Sequence, residues 1–267
     1  QLMSQHVKVA LSGDGADELF GSYLSHRLAV PLANFQTYLQ TGNSALIRPF
    51  EQQVDFLARM ADPQDWGWRY KLLVFSDEEK DALYSEEIAS HMRSYSTRDR
   101  LRHDFSELSA RDPLNRILES EFRTIFPDQV LAFVDRLSMA HSLEVRTAFL
   151  DTDFVEFVAG LPGSLKLKDG ETKYLLKKLG LRYLLREMVY RKKEGFLMPI
   201  TQWLLRDLES YVRETLSPER LAKHGLFRAA YVQRLVDALY QAQPDHLAVN
   251  KVYALVVFQE WYDLYMV

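Results

Sequence analysis

Residues 7–23 constrain the fold of this chain more than any other stretch, because an apolar run stops at Ser-Gly-Asp-Gly and then resumes with helical spacing. This order predicts a strand, a tight turn and a helix. Gly13 and Gly15 allow the backbone to turn sharply and to approach a ligand closely, and the first amides of the helix face the same point. The sequence therefore indicates a strand–turn–helix unit whose turn is open to a ligand.

Three carboxylates crowd this turn: Asp14, Asp17 and Glu18. Acidic residues in the first turn of a helix are stabilised by the helix dipole, so capping alone accounts for Asp17 and Glu18. It accounts less well for Asp14, which stands between two glycines. On these residues alone, a functional turn and a plain capped turn both remain open.

Composition bounds the class of protein. A chain of 267 residues, 47% of them apolar, is long enough to bury a large core in one or two domains. A formal charge of −4 argues against a general nucleic-acid-binding surface. The sequence contains no cysteine, which excludes disulfides and thiolate chemistry within it. It shows neither a membrane-length apolar run nor a signal peptide at its start, so we expect a cytoplasmic protein without membrane or nucleic-acid partners.

Helical periodicity dominates the rest of the chain, and residues 7–11 form the one clear strand. Pro31 and the polar residues 42–44 predict a boundary after the first helix. Ser76, followed three residues later by Glu79, predicts a capping box at the start of another helix. The expected fold is therefore mainly α.

Apolar stripes predict further helices in the second half of the chain. Asp128 fits the N-cap of a helix that follows Pro127. The other predicted helices cover residues 112–126, residues 154–161, residues 173–186 with a break at Gly180, and three C-terminal stripes that begin at Ile200, Tyr231 and Val252. We expect the apolar faces of these helices to be core.

Three blocks of the sequence resemble the synthetase domain of glutamine-dependent asparagine synthetases. Residues 11–23 read L-S-G-D-G-A-D-E-L-F-G-S-Y, similar to the family's L-S-G-(E/D)-G-x-D-E-x-F-G-G-Y. Residues 135–151 read D-R-L-S-M-A-H-S-L-E-V-R-T-A-F-L-D, similar to D-R-x-S-M-A-x-x-L-E-x-R-V-P-F-L-D. Residues 173–177 and 191–196 resemble K-x-x-L-(K/R) and R-x-K-x-G-F. Because the blocks keep the family's order, the chain is identified as a member of this family.

The resemblance implies that residues 1–267 are the C-terminal part of an α/β synthetase domain of the adenine nucleotide α-hydrolase-like class. The family's glutaminase domain, with its N-terminal cysteine, and its S-G-G-x-D-S pyrophosphate loop are absent from this sequence. We therefore expect the chain to work with upstream nucleotide-binding and glutaminase regions and to be inactive by itself. Homodimer formation is left open.

The resemblance also implies a two-step reaction that uses ATP, with Mg²⁺ brought in by the nucleotide. Aspartate attacks the α-phosphate of ATP to give an acyl-adenylate and pyrophosphate, and ammonia from glutamine then displaces AMP. Both steps build negative charge, which fixed cations and backbone amides stabilise. No histidine shows a metal-ligand spacing, and His141 reads as a packed or capping residue.

The family motifs place candidate residues on this sequence. Lys193 matches the lysine that meets the developing charge in both steps. From the local run of basic residues alone, it would be interpreted as a solvated loop residue. Lys173 matches a second lysine that faces the phosphates, and a surface lysine is the competing interpretation. Ser12, Gly13 and Gly15 are expected to bind the nucleotide.

Four more residues are candidates for roles toward the substrate acid and the ammonia. Asp14 is expected to orient ammonia or accept its proton, and Asp128 to act as a partner acid unless it only caps its helix. Arg146, with Glu144, is expected to bind the substrate, because a guanidinium grips a carboxylate with two hydrogen bonds. The sequence places Glu144 and Arg146 on or beside a helix, where an ion-pair network is the alternative.

The sequence departs from the family pattern at several positions. Thr147 and Ala148 replace Val-Pro, Ser22 replaces a glycine, and Phe133 stands where relatives often carry a lysine. These changes put the substrate in question more than the reaction. Asparagine synthesis is therefore the first interpretation. The alternatives are a paralogue that forms an amide on another carboxylate, as in polysaccharide modification or peptide cyclisation, and a non-catalytic binding module.

Overall fold

A computed structural model describes residues 1–192, 198–241 and 246–266, without the side chains of residues 246 and 247. This part of the chain is mainly helical, as expected. Its α-helices, in chain order, are α1 (Ala16–Phe20), α2 (Leu24–Thr41), α3 (Val54–Met60), α4 (Gly67–Tyr70), α5 (Asp77–Leu83), α6 (Glu86–Met92), α7 (Thr97–Ser106), α8 (Pro113–Arg123), α9 (Ala132–Met139), α10 (Thr152–Ala159), α11 (Gly163–Lys166), α12 (Tyr174–Gly180), α13 (Arg186–Val189), α14 (Ile200–Gln202), α15 (Glu209–Thr215), α16 (Pro218–Ala222), α17 (Ala229–Leu239) and α18 (His246–Tyr265).

Short 3-10 helices and π-helices also occur along the chain. The 3-10 helices are Met3–Gln5, Ser44–Leu46, Arg48–Gln53 and Ala148–Leu150, and the π-helices are Phe126–Leu131 and Trp203–Asp207. Along the described residues, no helix is long and apolar enough to cross a membrane.

The chain divides into two compact units. Unit 1 comprises Gln1–Gly67 and His103–Lys192, and unit 2 comprises Trp68–Arg102 and Lys193–Val267. The strand–turn–helix unit lies in unit 1, so the fold of unit 1 positions the candidate site.

Unit 1 contains a small parallel sheet. The predicted strand is confirmed as β1 (Val9–Ser12), and it pairs with β2 (Glu144–Thr147) in a register that sets Leu11 beside Arg146. The expectation that Glu144 and Arg146 lie on or beside a helix is wrong. Helix α9 ends at Met139, and the amide of Glu144 then donates to the carbonyl of Lys8, which starts the ladder. Pairing with a distant strand decides the conformation here.

Aromatic packing anchors α1, the helix that follows the turn. Leu19, Phe20 and Val158 form a buried cluster, against which the rings of Phe149 and Phe154 pack. The neighbouring helices α2 and α8 also pack on each other. The turn between β1 and α1 is thus held by a rigid apolar base.

Two predicted helix-end signals in unit 1, at Pro31 and at Asp128, are wrong. Pro31 does not mark a boundary but lies buried inside α2, whereas the boundary predicted at residues 42–44 is confirmed, because α2 ends at Thr41 and Gly42 follows with a φ of 70°. An interior proline costs a helix about 3 kcal/mol, and the burial of Leu28 and Phe35 from the same helix offsets this cost. Asp128 is not an N-cap, because it lies exposed within the π-helix Phe126–Leu131.

Other helix predictions hold. The stripe in residues 112–126 forms α8, whose N-cap is Asp112, and the stripe that starts at Phe154 lies in α10. The predicted break at Gly180 is confirmed, because α12 ends there and α13 begins only at Arg186.

The core of unit 2 is built largely from two of the predicted C-terminal stripes. Helices α17 and α18, which carry the stripes at Tyr231 and Val252, contribute most of its buried side chains. Leu204 joins them from the stripe at Ile200, Val212 from α15, which was not predicted, and Leu83 from α5. The predicted capping box starts α5, since Ser76 accepts from the amide of Glu79 and Glu79 accepts from the amide of Ser76.

Candidate functional site

The turn after β1 is shaped by two glycines with different surroundings. Gly15 has a φ of 94°, and a Cβ on it would lie 2.6 Å from the side chain of Leu150. Gly15 is therefore required for the fold of the turn. Around Gly13, by contrast, a Cβ would meet nothing within 4 Å. The backbone at Gly13 is open to an approaching ligand.

Asp14 is held by the residue at the end of β1. The hydroxyl of Ser12 donates to the carboxylate of Asp14, and the Asp14 amide donates back to the same hydroxyl at 3.0 Å. Both residues are half-buried. The carboxylate is thus fixed beside the open backbone of Gly13.

Lys173 reaches this turn from the third sequence block. Its Nζ lies 2.7 Å from Oδ1 of Asp17 in α1, and its amide donates to the carbonyl of Gly21 at 3.2 Å. Lys173 has a φ of 53°, in the left-handed region that a side chain rarely adopts. Of the lysines that follow, Lys178 is exposed and Lys177 is half-buried.

Arg146 and Glu144 lie on one side of β2. Because successive side chains on a strand alternate, the two share a face, and Nε of Arg146 donates to Oε1 of Glu144 at 2.9 Å. Both side chains are exposed, 65% for Arg146. The parallel pairing sets Thr147 beside Ser12, so β2 ends at the same edge of the sheet as β1, where the turn begins.

Two predicted residues are not brought to the turn by any described contact. Asp128 is exposed in its π-helix, and its part as a partner acid stays a prediction. Lys193 lies outside the described residues, together with Gly195.

A buried polar network lies beneath the turn, and sequence reasoning missed most of it. Glu18, 4% exposed, accepts a hydrogen bond from the hydroxyl of Tyr23. Burial raises the pKa of Tyr23 far above its ordinary value, and the bond to Glu18 raises it further, so the phenol stays protonated. His26 and Glu121 pair at 2.9 Å and are also buried. A lone histidine and a glutamate 95 residues later give no sequence signal for such a pair.

A cavity of about 420 Å³ in unit 1 borders the other side of Glu18. Its walls are largely apolar, with Leu19 and Phe122 among them, and they include the buried Lys166. Nζ of Lys166 donates to Asn115 at 2.8 Å. Burial lowers the pKa of Lys166 to about 8, against an opposing effect of Asp112.

The acids at the turn are engaged by neighbouring side chains. Among the described residues, no group of three or more His, Asp or Glu side chains is arranged to hold a metal ion. Asp14 is engaged by Ser12, and Asp17 by Lys173.

Comparison with known proteins bears on the whole chain. The family described as asparagine synthase matches residues 1–263. The chain is 29% identical to "Asparagine synthetase [glutamine-hydrolyzing] 1" of Bacillus subtilis over 97% of its own length and 41% of the relative's. It is 27% identical to "Asparagine synthetase [glutamine-hydrolyzing] 3" of the same organism, over 90% of this chain and 34% of the relative. "Amidase chry2" of Gibberella zeae is 21% identical, over 96% of this chain and 41% of the relative. The chain thus spans about two fifths of the length of the first and the third of these relatives.

Proposed function

Since the chain belongs to the asparagine synthase family, we propose that it is the part of an ATP-dependent, amide-forming ligase that carries the turn at residues 12–15. The proposed reaction adenylates aspartate and then forms asparagine with ammonia released from glutamine. The region would work with nucleotide-binding and glutaminase regions, and its expected α/β class and cytoplasmic location belong to the same proposal.

One observation supports this proposal above the others, the convergence of the three sequence blocks on one turn. Block one supplies the turn itself, and block two is joined to it through the pairing of β1 with β2. Block three is joined through the ion pair between Lys173 and Asp17. Residues that are more than 150 positions apart in the sequence therefore contact one another. A plain capped turn has no need of such contacts.

The geometry of the turn fits a nucleotide better than a metal. The open backbone at Gly13, next to Ser12 and Gly15, leaves room for a phosphate, and Lys173 contributes an ammonium that pairs with Asp17 in the helix that follows. In the adenylation step, the substrate carboxylate forms a bond to the α-phosphorus and pyrophosphate leaves. Mg²⁺ would neutralise phosphate charge when the nucleotide is bound, and this chain's described residues need not hold it.

Asp14 is proposed to act in the second step. Ammonia attacks the acyl carbon, a proton leaves the nitrogen, and AMP departs. A carboxylate fixed by Ser12 is suited to orient the amine or accept that proton. Lys193 is proposed to stabilise the negative charge in both steps. Asp128 is proposed as a partner acid.

Arg146 and Glu144 are proposed to recognise the acid substrate. A guanidinium that is exposed and paired with only one oxygen of Glu144 retains donors for a substrate carboxylate. Thr147 ends this strand and Ala148 follows it, in place of the Val-Pro that is usual in the family, so other carboxylic acids are tested beside aspartate.

The test is a product assay on the full-length protein. With ATP, Mg²⁺, aspartate and either glutamine or ammonia, we expect AMP, pyrophosphate and asparagine in equal amounts. A panel of other carboxylic acids, assayed for AMP release, identifies a different acyl substrate. If no acid yields AMP, the chain is not a ligase and the binding-module alternative replaces this proposal.

A further inference from the structure

The loop that joins α1 to α2 is fastened by a histidine inside α2. Nδ1 of His26 lies 2.9 Å from the amide nitrogen of Ser22 and 3.2 Å from that of Tyr23. Both amides donate, so Nδ1 must carry a lone pair and no proton. The ring proton of the neutral imidazole is then on Nε2, where it points to Oε2 of Glu121 at 2.9 Å. The two contacts together fix the tautomer and the ring plane.

This arrangement forms part of a capping box at the start of α2. Tyr23 is the N-cap residue of α2, and its hydroxyl donates to the carboxylate of Glu18. His26, the third residue of α2, accepts through Nδ1 from the amide of this N-cap residue, as the third residue of a capping box does. His26 is 1% exposed, so the acceptor for these two amides is a buried side chain held in one orientation.

The fastened loop in turn holds Lys173. The hydroxyl of Ser22 donates to Asp17, which also binds Nζ of Lys173. The carbonyl of Gly21 accepts from the amide of Lys173. Lys173 keeps its left-handed backbone conformation although a side chain disfavours it, so the surrounding contacts must impose it.

We propose that His26, oriented by Glu121, is a positioning residue that fixes the loop of residues 21–23 and through it places the ammonium of Lys173 at the turn. The inference rests on the proposed function in one respect, the assignment of Lys173 to the phosphates of ATP. The placement of Lys173 itself is a statement about structure and has its own test.

Two substitutions separate the contacts of His26. His26→Asn puts an amide oxygen near the position of Nδ1 and so keeps the acceptor for the loop, but it loses Glu121. His26→Gln puts an amide nitrogen near the position of Nε2 and so keeps the donor to Glu121, but it loses the acceptor. The two variants are similar in polarity, which makes each the control of the other.

The first measurement is independent of activity. The amide of Lys173 donates to Gly21, so its hydrogen exchange reports whether the loop holds it. We expect exchange at Lys173 to accelerate at least tenfold in His26→Gln and to stay within about threefold of the wild type in His26→Asn. Nitrogen NMR of labelled histidine should show His26 protonated at Nε2 only. Equal acceleration in both variants, or a proton on Nδ1, overturns the inference even if the protein proves to be a ligase.

The second measurement uses the full-length protein and aspartate-dependent exchange of labelled pyrophosphate into ATP. His26→Gln should raise the KM for ATP roughly tenfold, and His26→Asn should restore most of the affinity. In a Lys173→Met background, His26→Gln should add little, because its effect passes through the missing ammonium. Additive effects would mean that His26 supports the fold only. No exchange in the wild type would instead defeat the proposed function and leave the hydrogen-exchange test standing.

Discussion

Unit 1 and unit 2 bury different kinds of side chain. Beneath the turn, unit 1 buries Glu18, His26, Glu121 and Lys166, four groups that can carry charge. Among the described residues of unit 2, the buried polar side chains are Thr215 and Gln259, both neutral, and the rest of the buried set is apolar.

This difference has an energetic meaning. An apolar side chain gains free energy on burial, so the core of unit 2 needs no explanation beyond stability. Burial of an ionisable group costs free energy unless hydrogen bonds compensate it. Unit 1 meets this cost with specific partners, such as Glu121 for His26 and Asn115 for Lys166. Polar burial of this kind fixes the geometry around a turn, and we interpret it as support for the proposed site.

The largest expected effect is in unit 2. Leu239 is fully buried, so Leu239→Ala should lower the free energy of unfolding by about 2–5 kcal/mol. Leu264→Ala in α18 is the matched control, because Leu264 is 71% exposed and should change stability by less than about 0.5 kcal/mol. Urea unfolding measures both. Equal effects of the two substitutions would contradict the assignment of the apolar core.

The next effect is a pH dependence of the free energy of unfolding, caused by the buried Lys166 in unit 1. The pKa of Lys166 is about 8 in the folded protein, below its ordinary 10.5. Between these values the unfolded chain binds a proton that the folded chain does not, so stability should rise with pH through this window. The gain should be roughly 3 kcal/mol, and below about pH 8 the full cost of the buried ammonium is present.

Substitution isolates this contribution from other groups that titrate at alkaline pH. In Lys166→Met the rise should be lost, whereas Lys178→Met, at an exposed lysine, should keep it. Urea unfolding at several pH values between 7.5 and 10.5 provides the measurement. An unchanged slope in Lys166→Met would show that this lysine is not desolvated in the folded protein.

The smallest effect tests a local signal in unit 2. Ser76→Ala removes the side-chain acceptor of the capping box and should cost about 1 kcal/mol. Ser85 is the N-cap residue of α6 but makes no such bond, and its buried hydroxyl has no partner among the described residues. Ser85→Ala should therefore be neutral or slightly stabilising. Thermal unfolding compares the two, and an equal loss would remove the distinction.

The same contrast explains what could be predicted from sequence. The capping box of Ser76 and the stripe of α8 are local signals, readable within a few residues, and both are confirmed. The turn at residues 12–15 was legible because glycines mark a backbone requirement. Strand β2 was not, because Glu144 to Thr147 become extended only by pairing with β1.

Long-range polar contacts were beyond sequence reasoning for the same reason. His26 and Glu121 are 95 positions apart, and neither residue type specifies its partner. Pro31 shows the converse case, in which tertiary packing overrides a local breaker. The chemistry assigned to Asp14, Lys173 and Lys193 came from motif resemblance and stays a proposal.

The most direct test of the account is the behaviour of Asp14→Asn in the full-length protein. If the turn is the site of both steps and Asp14 serves the second, the variant should keep aspartate-dependent exchange of pyrophosphate into ATP within about tenfold. Asparagine formation should fall by roughly 100-fold or more. Loss of both activities would assign Asp14 to nucleotide binding or to the integrity of the turn, and retention of both would leave it an ordinary loop acid. Either result would contradict the proposed division of labour.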